Sequence, residues 1–378
     1  MASGVSVFFV GGGTGGHVIP ALAMAEALRL KAPDARVHFV GGRRGIEGRL
    51  VPAAGFSLTR LPAFGLRGLG LAGMIRFAFG FLVAIPSMLF LLLRRRPRLV
   101  VATGGYAAAA PALIASVLGV PLWVQEQNSA PGSTNRVLSG RSERAYAAFA
   151  AAREKLRARE IIELPNPVRA AVRASAESSS TPQDYEQFGL DPDRHTLLIF
   201  GGSRGAATLN RAIEAAAGRI MHDTSWQVLA QTGQEDLEST RAIVGTSAGG
   251  RPSRVRVLPF IDDMGAAWRI ADLVVCRAGA MTLAELATVG RASLLVPYPH
   301  ATDDHQRLNA LELVERGAAR MVEDQALDGD RLVDVLAWFD EDAAGVASMA
   351  RAVREWGGAV DGATRIAEDI VQRCEVPA

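Results

Sequence analysis

The chain has 378 residues, 49% of them apolar, and a formal net charge of +2; it is too long for one ordinary core and suits two domains. The near-neutral balance argues against a nucleic-acid partner, for which a basic face is expected. The two cysteines, Cys276 and Cys374, make neither a disulfide framework nor a metal cluster, so a reducing compartment is expected, and the start of the chain has no basic leader and too short an apolar run for a signal peptide.

Val5 to Val10 reads as a buried strand running into Gly11-Gly12-Gly13-Thr14-Gly15-Gly16-His17, with a helix from about Ile19 to Leu30. Strand, glycine loop and helix form a phosphate-cradling unit: glycine lets the backbone approach an anion and the helix N-terminus faces it. Gly11, Gly13 and Gly16 satisfy the dinucleotide pattern G-x-G-x-x-G. The next strand, Arg36 to Val40, however, ends in Gly41-Gly42-Arg43-Arg44, where NAD requires an acidic ribose ligand. A phosphorylated dinucleotide, and with it an NADP-dependent dehydrogenase, stays formally open.

Phe77 to Leu93 is the most apolar run, with Arg76 before it and Arg94, Arg95, Arg96 and Arg98 after it. Lying between predicted strands Ser57–Leu61 and Leu99–Ala102, it must return to the same sheet, which excludes a membrane span. A helix lying on an anionic membrane explains both the apolarity and the arginine flanks and is taken first. A buried crossover helix is the alternative.

The strand Leu99–Ala102 ends in Thr103-Gly104-Gly105-Tyr106, and the strand Pro121–Val124 in Gln125-Glu126-Gln127-Asn128, four polar residues that are costly unless they face a cleft. Pro131 to Asn135 starts another helix. Ligands gather at the C-terminal ends of strands in open α/β sheets, so loops 11–17, 103–106 and 125–135 are expected to converge. Leu164 to Arg169 reads as the domain crossing, and Ala174 to Gln183 as a polar surface loop.

Thr196 to Phe200, Gly201-Gly202-Ser203-Arg204-Gly205 and a helix to about Ile220 repeat the opening pattern. Strand signals follow at Trp226–Ala230, Val255–Leu258, Leu273–Val275, Leu294–Val296 and Ala318–Val322, and Arg351 to Cys374 is helical. Ala280 to Val289 is a helix whose first turn suits a phosphate. Glu285 is either a ligand for sugar hydroxyls or a solvated helix carboxylate. The predicted fold class is α/β, two Rossmann-like doubly wound domains facing across a cleft. The N-terminal domain is placed at 1–166 and the C-terminal one at 167–351, with a helix at about 352–378 packing back on the first. Ser203, Arg204, Arg277 and the Ala280–Met281 backbone are candidates to stabilise a departing diphosphate without a metal. The pairs Asp262-Asp263 and Asp303-Asp304 read as helix caps. No metal and no cofactor are expected.

His17 is the candidate general base, because its ordinary pKa lies near operating pH and it starts a helix facing the cleft. The alternative is a histidine that only closes its loop by hydrogen bonding to backbone. Glu126 is the second candidate base, or an orienting group for its own loop.

GGGTGGHVIP, TGGYAAAAP, EQNSAPGSTNR, NPVR, GGSRGA, CRAGAMTLAE and VPYPHATDDHQRLNA, in that order, resemble the MurG family, the bacterial N-acetylglucosaminyltransferases of the peptidoglycan lipid cycle. The resemblance runs from Val5 to about Val322. It implies a GT-B glycosyltransferase fold and inverting, metal-independent transfer of N-acetylglucosamine from its UDP donor to undecaprenyl-diphosphate-N-acetylmuramoyl-pentapeptide, turning lipid I into lipid II. By motif it implies that Thr14, Gly15 and Gly16 lie near the reacting sugar and diphosphates and that Asn128 contacts the donor sugar. Arg169 and Ser203 are implied as diphosphate ligands, and Ile261 as a backbone contact for uracil. Ala280, Met281, Thr282, Leu283, Ala284 and Glu285 are implied to hold the nucleotide, and Gln306 to read the sugar hydroxyls. Gly104, Gly105 and Tyr106 belong to the acceptor side. Pro165 and Arg204 depart from the family pattern, where Gly and Gln are usual. Partners are then UDP-N-acetylglucosamine, lipid I, an anionic membrane surface touched by Phe77, Phe81, Leu82, Leu89, Arg94 and Arg95, and other cell-wall synthesis proteins. The expected place is the cytoplasmic face of the inner membrane, as a peripheral protein. A UDP-N-acetylglucosamine 2-epimerase and a non-catalytic membrane-bound sugar-nucleotide binder are the alternatives.

Overall fold

A computed structural model describes residues 4–62, 71–202, 205–246 and 253–375, without the side chains of 71–81. The chain divides into two compact units, residues 1–170 with 360–378, and residues 171–359.

The first unit is built on a parallel sheet of seven strands: β1 (Ser6–Gly11), β2 (Arg36–Gly42), β3 (Ser57–Leu61), β4 (Leu99–Gly104), β5 (Leu122–Glu126), β6 (Arg144–Ala147) and β7 (Glu160–Glu163), in the order β3-β2-β1-β4-β5-β6-β7. Val7 to Val10 and Leu99 to Ala102 are buried on both faces, which is why these strands read as unbroken apolar runs rather than alternating ones. The helix Gly15–Lys31 covers one face. The helix Gly362–Glu375 packs beside it through Ala363, Ile366, Ala367, Ile370 and Cys374, a single helical stripe with no exposure. Its buried Asp369 accepts from Tyr146 Oη at 2.8 Å and is flanked by Arg144 and Arg365.

The second unit holds a parallel sheet of β8 (Thr196–Phe200), β9 (Gln227–Gln231), β10 (Val255–Leu258), β11 (Leu273–Cys276), β12 (Ala292–Leu295) and β13 (Arg320–Met321), in the order β10-β9-β8-β11-β12-β13. Leu197, Ile199, Val228, Ala230 and Val275 meet Leu209, Ile213, Ile220 and Leu336 in its core. In each sheet the strand order reverses next to its first strand, at β1/β4 and at β8/β11. These are the switch points where open α/β sheets bind ligands.

Several expectations need correction. β6 and β7 were not anticipated; at four residues each, RAYA and EIIE, they carry little pattern. The first helix begins at Gly15, not Ile19, because the Thr14 carbonyl accepts from the amides of His17 and Val18. The expected polar loop 174–183 shrinks to residues 178–181, between the helix Ala170–Glu177 and the helix Pro182–Glu186. That second helix opens with a capping box between Thr181 and Asp184. The change of unit after Ala170 lies next to the stretch Leu164 to Arg169 read as the crossing. The C-terminal helical stretch is two helices. Ala343–Gly357 belongs to the second unit, and only Gly362–Glu375, restarted by Asp361 accepting from the amides of Ala363 and Thr364, belongs to the first.

The apolar run 77–93 lies in the helix Leu71–Arg95. Ala84, Met88, Leu91 and Leu92 form its buried stripe, while Leu82, Phe90 and Leu93 are 63–69% exposed, with Val83 and Leu89 at 37% and 36%. It is therefore not a wholly buried crossover in its described half. No helix among the described residues is long and apolar enough to cross a membrane.

Candidate active site

At the first switch point the loops after β1, β4 and β5 come together. Gly105 sits at φ +77°, and a Cβ there would stand 2.3 Å from the Gly12 carbonyl, so only glycine permits this approach of two strand ends. Tyr106 stands over Gly13. The amides of Gly15 and Gly16, in the first turn of the helix Gly15–Lys31, have by helix geometry no acceptor within that helix and suit an anion.

His17 follows them. Its Nδ1 lies 3.0 Å from the Thr103 carbonyl and 3.1 Å from Gln127 Oε1. Both partners are acceptors, so the proton of the neutral ring sits on Nδ1 and Nε2 carries the lone pair. Buried Thr103 Oγ1 and Asn135 Oδ1 have no hydrogen-bond partner, which leaves polar capacity at this end of the sheet.

Of the four polar residues at the end of β5, three are buried and Asn128 is half-buried. Gln125, Glu126 and Gln127 are each 1% exposed. Glu126 Oε1 accepts from the Asn128 amide at 2.9 Å and Oε2 from the Gly132 amide at 3.2 Å and Asn135 Nδ2 at 2.9 Å. A carboxylate so enclosed clamps the loop 126–135, which presents Asn128, and is not placed to act as a base. Glu47, which sequence reasoning did not single out, plays the same part on the other side. Its oxygens accept from the amides of Gly13 at 2.9 Å and Gly42 at 2.8 Å. Arg169 stands 3.5 Å from Glu26, midway along the helix Gly15–Lys31 and away from its N-terminus.

In the second unit, Gly205 takes φ +75° with a would-be Cβ 1.8 Å from the Thr232 carbonyl, pinning the loop after β8 to the end of β9. Ser203 and Arg204 lie outside the described residues. Gln231, also missed from sequence, bridges two loops: Nε2 donates to the Gly202 carbonyl at 2.7 Å and Oε1 accepts from the Ile261 amide at 2.8 Å. Ile261 therefore has its N–H engaged, and its carbonyl is the group it can present.

The helix Ala280–Val289 starts at the end of β11. Leu283 and Ala284 are buried in the core, and the Leu283 amide already donates to the Gly279 carbonyl. Of the expected contacts on this helix, the side chains of these two residues drop out. The amides of Met281 and Thr282, in the first turn, keep the anion-facing position. Glu285 is half-buried. Burial first, and then the charge of Glu285, push the Cys276 thiol far above its ordinary range.

Arg277 is 8% exposed. It pairs with Asp324 and donates to the carbonyls of Val296 at 3.1 Å and Pro297 at 3.2 Å. It is a buried pin for the loop after β12, not a diphosphate ligand. That loop ends in Asp303 and Asp304, both at left-handed φ near +50°, and then Gln306. Gln306 Oε1 accepts from the Tyr298 amide at 3.0 Å, which turns its NH2 the other way. Asp263 caps its helix through the Ala266 amide, whereas Asp304 caps nothing with its side chain. Among the described residues no three His, Cys, Asp or Glu side chains are grouped to hold a metal ion.

Two parallel sheets, each with a glycine loop and a helix N-terminus at its switch point, are the arrangement of a GT-B glycosyltransferase. Residues 7–147 match the glycosyltransferase family 28 N-terminal domain and residues 196–370 its C-terminal domain. The chain is 37% identical over 372 residues, 97% of its own length and 99% of the relative's, to the UDP-N-acetylglucosamine–N-acetylmuramyl-(pentapeptide) pyrophosphoryl-undecaprenol N-acetylglucosamine transferase of Chlorobaculum tepidum. A crystal structure of Acinetobacter baumannii MurG superposes with a TM-score of 0.75 at 30% identity, covering 97% of this chain and 99% of that one. The chain belongs to the MurG family. A UDP-N-acetylglucosamine 2-epimerase from Neisseria meningitidis, at TM-score 0.69, 13% identity and coverage of 98% of this chain and 99% of that one, shares the fold alone.

Proposed function

We propose that this chain transfers N-acetylglucosamine from UDP-N-acetylglucosamine to the 4-hydroxyl of N-acetylmuramoyl-pentapeptide on undecaprenyl diphosphate, with inversion at the sugar carbon. The end-to-end likeness to relatives named for that transfer carries the reading. In the second unit the Ile261 carbonyl receives the uracil N3–H, Glu285 accepts from the ribose hydroxyls, and the NH2 of Gln306 reads the sugar. The first-turn amides at Met281 and Thr282 meet the charge that grows on the leaving diphosphate. Ser203 and Arg169 are the further diphosphate ligands that the family motifs imply.

In the first unit Thr14, Gly15 and Gly16 lie near the reacting sugar and diphosphates, Gly104, Gly105 and Tyr106 line the acceptor side, and Asn128 contacts the donor sugar. The acceptor oxygen forms its bond to C1 as the C1–O bond to the β-phosphate breaks. The electron pair leaves with UDP, and the hydroxyl proton passes to His17 Nε2.

The acceptor's lipid tail stays in a bilayer, so the protein meets it at the cytoplasmic membrane surface. The exposed face of Leu82, Leu89, Phe90 and Leu93, followed by exposed Arg94 and Arg95, suits an anionic interface. Phe77 and Phe81 precede it in the same helix, and their side chains lie outside the described residues.

The test is incubation with UDP-N-acetylglucosamine and a short-chain lipid I analogue, without added metal. UDP and a disaccharide lipid in equal amounts support the reading. An epimerised sugar nucleotide with an untouched acceptor lipid refutes it.

A further inference from the structure

Four side chains in the first unit form a hydrogen-bonded chain that runs in one direction. Asn166 Nδ2 donates to the Gln127 backbone carbonyl at 2.9 Å. A carbonyl can only accept, so the Asn166 amide is fixed with Oδ1 pointing away. Asn166 Oδ1 accepts from Gln125 Nε2 at 2.8 Å. This turns Gln125 Oε1 toward Gln127, whose Nε2 donates to it and, at 2.9 Å each, to the carbonyls of Thr103 and Gln125. Three oxygens around one atom leave no choice: it is nitrogen, and the remaining Gln127 atom, Oε1, is the one 3.1 Å from His17 Nδ1. All three amide side chains are 4% exposed or less, so a reversed amide would bury like against like.

We propose that Gln127 is a positioning residue of the transfer reaction: backed by Gln125 and Asn166, it holds the His17 proton on Nδ1 and leaves Nε2 as the proton-accepting atom. The proposal rests on the reading of His17 as the base. It gives a purpose to a buried polar cluster that clamping by Glu126 does not explain, since Glu126 serves the loop amides and Asn135. The chain ends at Asn166, close before the residue at which the backbone leaves the first unit. Among the described residues the charged and titratable groups around this end of the sheet include Glu47, Tyr106, Glu126, the exposed Arg43 and Arg44 after β2, and Glu26 further along the histidine's own helix. Glu47 and Glu126 are bound by backbone amides and Glu26 by Arg169, so the nearest partner of the ring is neutral.

The experiment is nitrogen-15 NMR of the full-length protein labelled at histidine, titrated with pH, with His17→Asn to assign the signal and kcat/KM for the acceptor measured over the same range. The expected neutral form has a protonated Nδ1 and a bare Nε2. Gln127→Glu puts a carboxylate against Nδ1 and is expected to favour the charged ring, moving the acid limb of kcat/KM upward with it. A Gln127 side chain that does not stand against the ring moves neither the ring's titration nor the limb. Neutral His17 protonated at Nε2 in the unaltered protein overturns the proposal, and that measurement decides it even if Gln127→Glu does not fold. A folded Gln127→Glu whose His17 pKa is unmoved overturns it too. If the pKa moves and the acid limb does not follow, the base reading falls, and with it the part of Gln127 in the reaction, while the tautomer assignment stands.

Discussion

The amide of Gly13 donates to the carboxylate of Glu47 at 2.9 Å, so the first glycine-rich loop carries an anion of its own. The second oxygen of Glu47 takes the Gly42 amide, tying the ends of β1 and β2 together. In a dinucleotide fold those two strand ends hold pyrophosphate and ribose; here a buried side chain holds them. NADP(H) is therefore expected not to bind, and titration by its fluorescence should show no saturable change. Glu47→Ala strands two amides and should lower stability by about 1–3 kcal/mol in denaturant unfolding.

His17→Ala should lower kcat by about 100- to 10,000-fold, the range of a lost general base, while the affinity for UDP-N-acetylglucosamine, measured by calorimetry, stays within about twofold. An unchanged rate constant removes His17 from the mechanism.

Glu126→Gln tests the clamp against the base. Its new NH2 faces N–H donors, so unfolding should show a loss of about 1–3 kcal/mol. Turnover should fall through the displaced Asn128 loop, with the acid limb of the pH profile in place. Loss of that limb with full stability would restore Glu126 as the base.

Phe90→Glu and Leu89→Glu place charge on the exposed face of the helix Leu71–Arg95. Withdrawing one such side chain from lipid costs about 1.5–3 kcal/mol. Sedimentation with anionic vesicles should accordingly weaken about tenfold or more per substitution, with activity on a soluble short-chain acceptor retained. Unchanged sedimentation removes this helix from membrane binding.

Asp184 is buried against Arg269, which holds its carboxyl down from its ordinary 3.8 to about 2. A depressed carboxylate stabilises the fold above its unfolded pKa, and the contribution fades as pH falls through the folded value. Asp184→Asn should therefore cost about 2 kcal/mol at pH 7, and the difference from the unaltered protein should shrink between about pH 4 and pH 2. A difference independent of pH assigns the loss to packing.

Much of the architecture is written locally. The runs Ser6–Gly11 and Thr196–Phe200, each followed by glycines and a helix, announce two parallel α/β sheets, because buried parallel strands are continuously apolar and glycine marks where backbone must turn tightly or approach closely. The order of the motifs gives the family for the same reason: each is a short contiguous stretch. Short strands such as Arg144–Ala147 escaped because their neighbours in the sheet, not their own pattern, make them strands.

What the residues do at the sheet edges was a matter of partners distant in sequence. Arg277 looked like an anion ligand and became a loop pin because the carbonyls of Val296 and Pro297 come to it. Glu126 looked like a base and became a clamp because Gly132 and Asn135 fold over it. The tautomer of His17 is set by Thr103 and Gln127, 86 and 110 residues away. Periodicity and glycine spacing fix backbone conformation over a few residues. The direction of a hydrogen bond depends on which donor and acceptor the folded chain brings within 3 Å, and only the tertiary structure decides that.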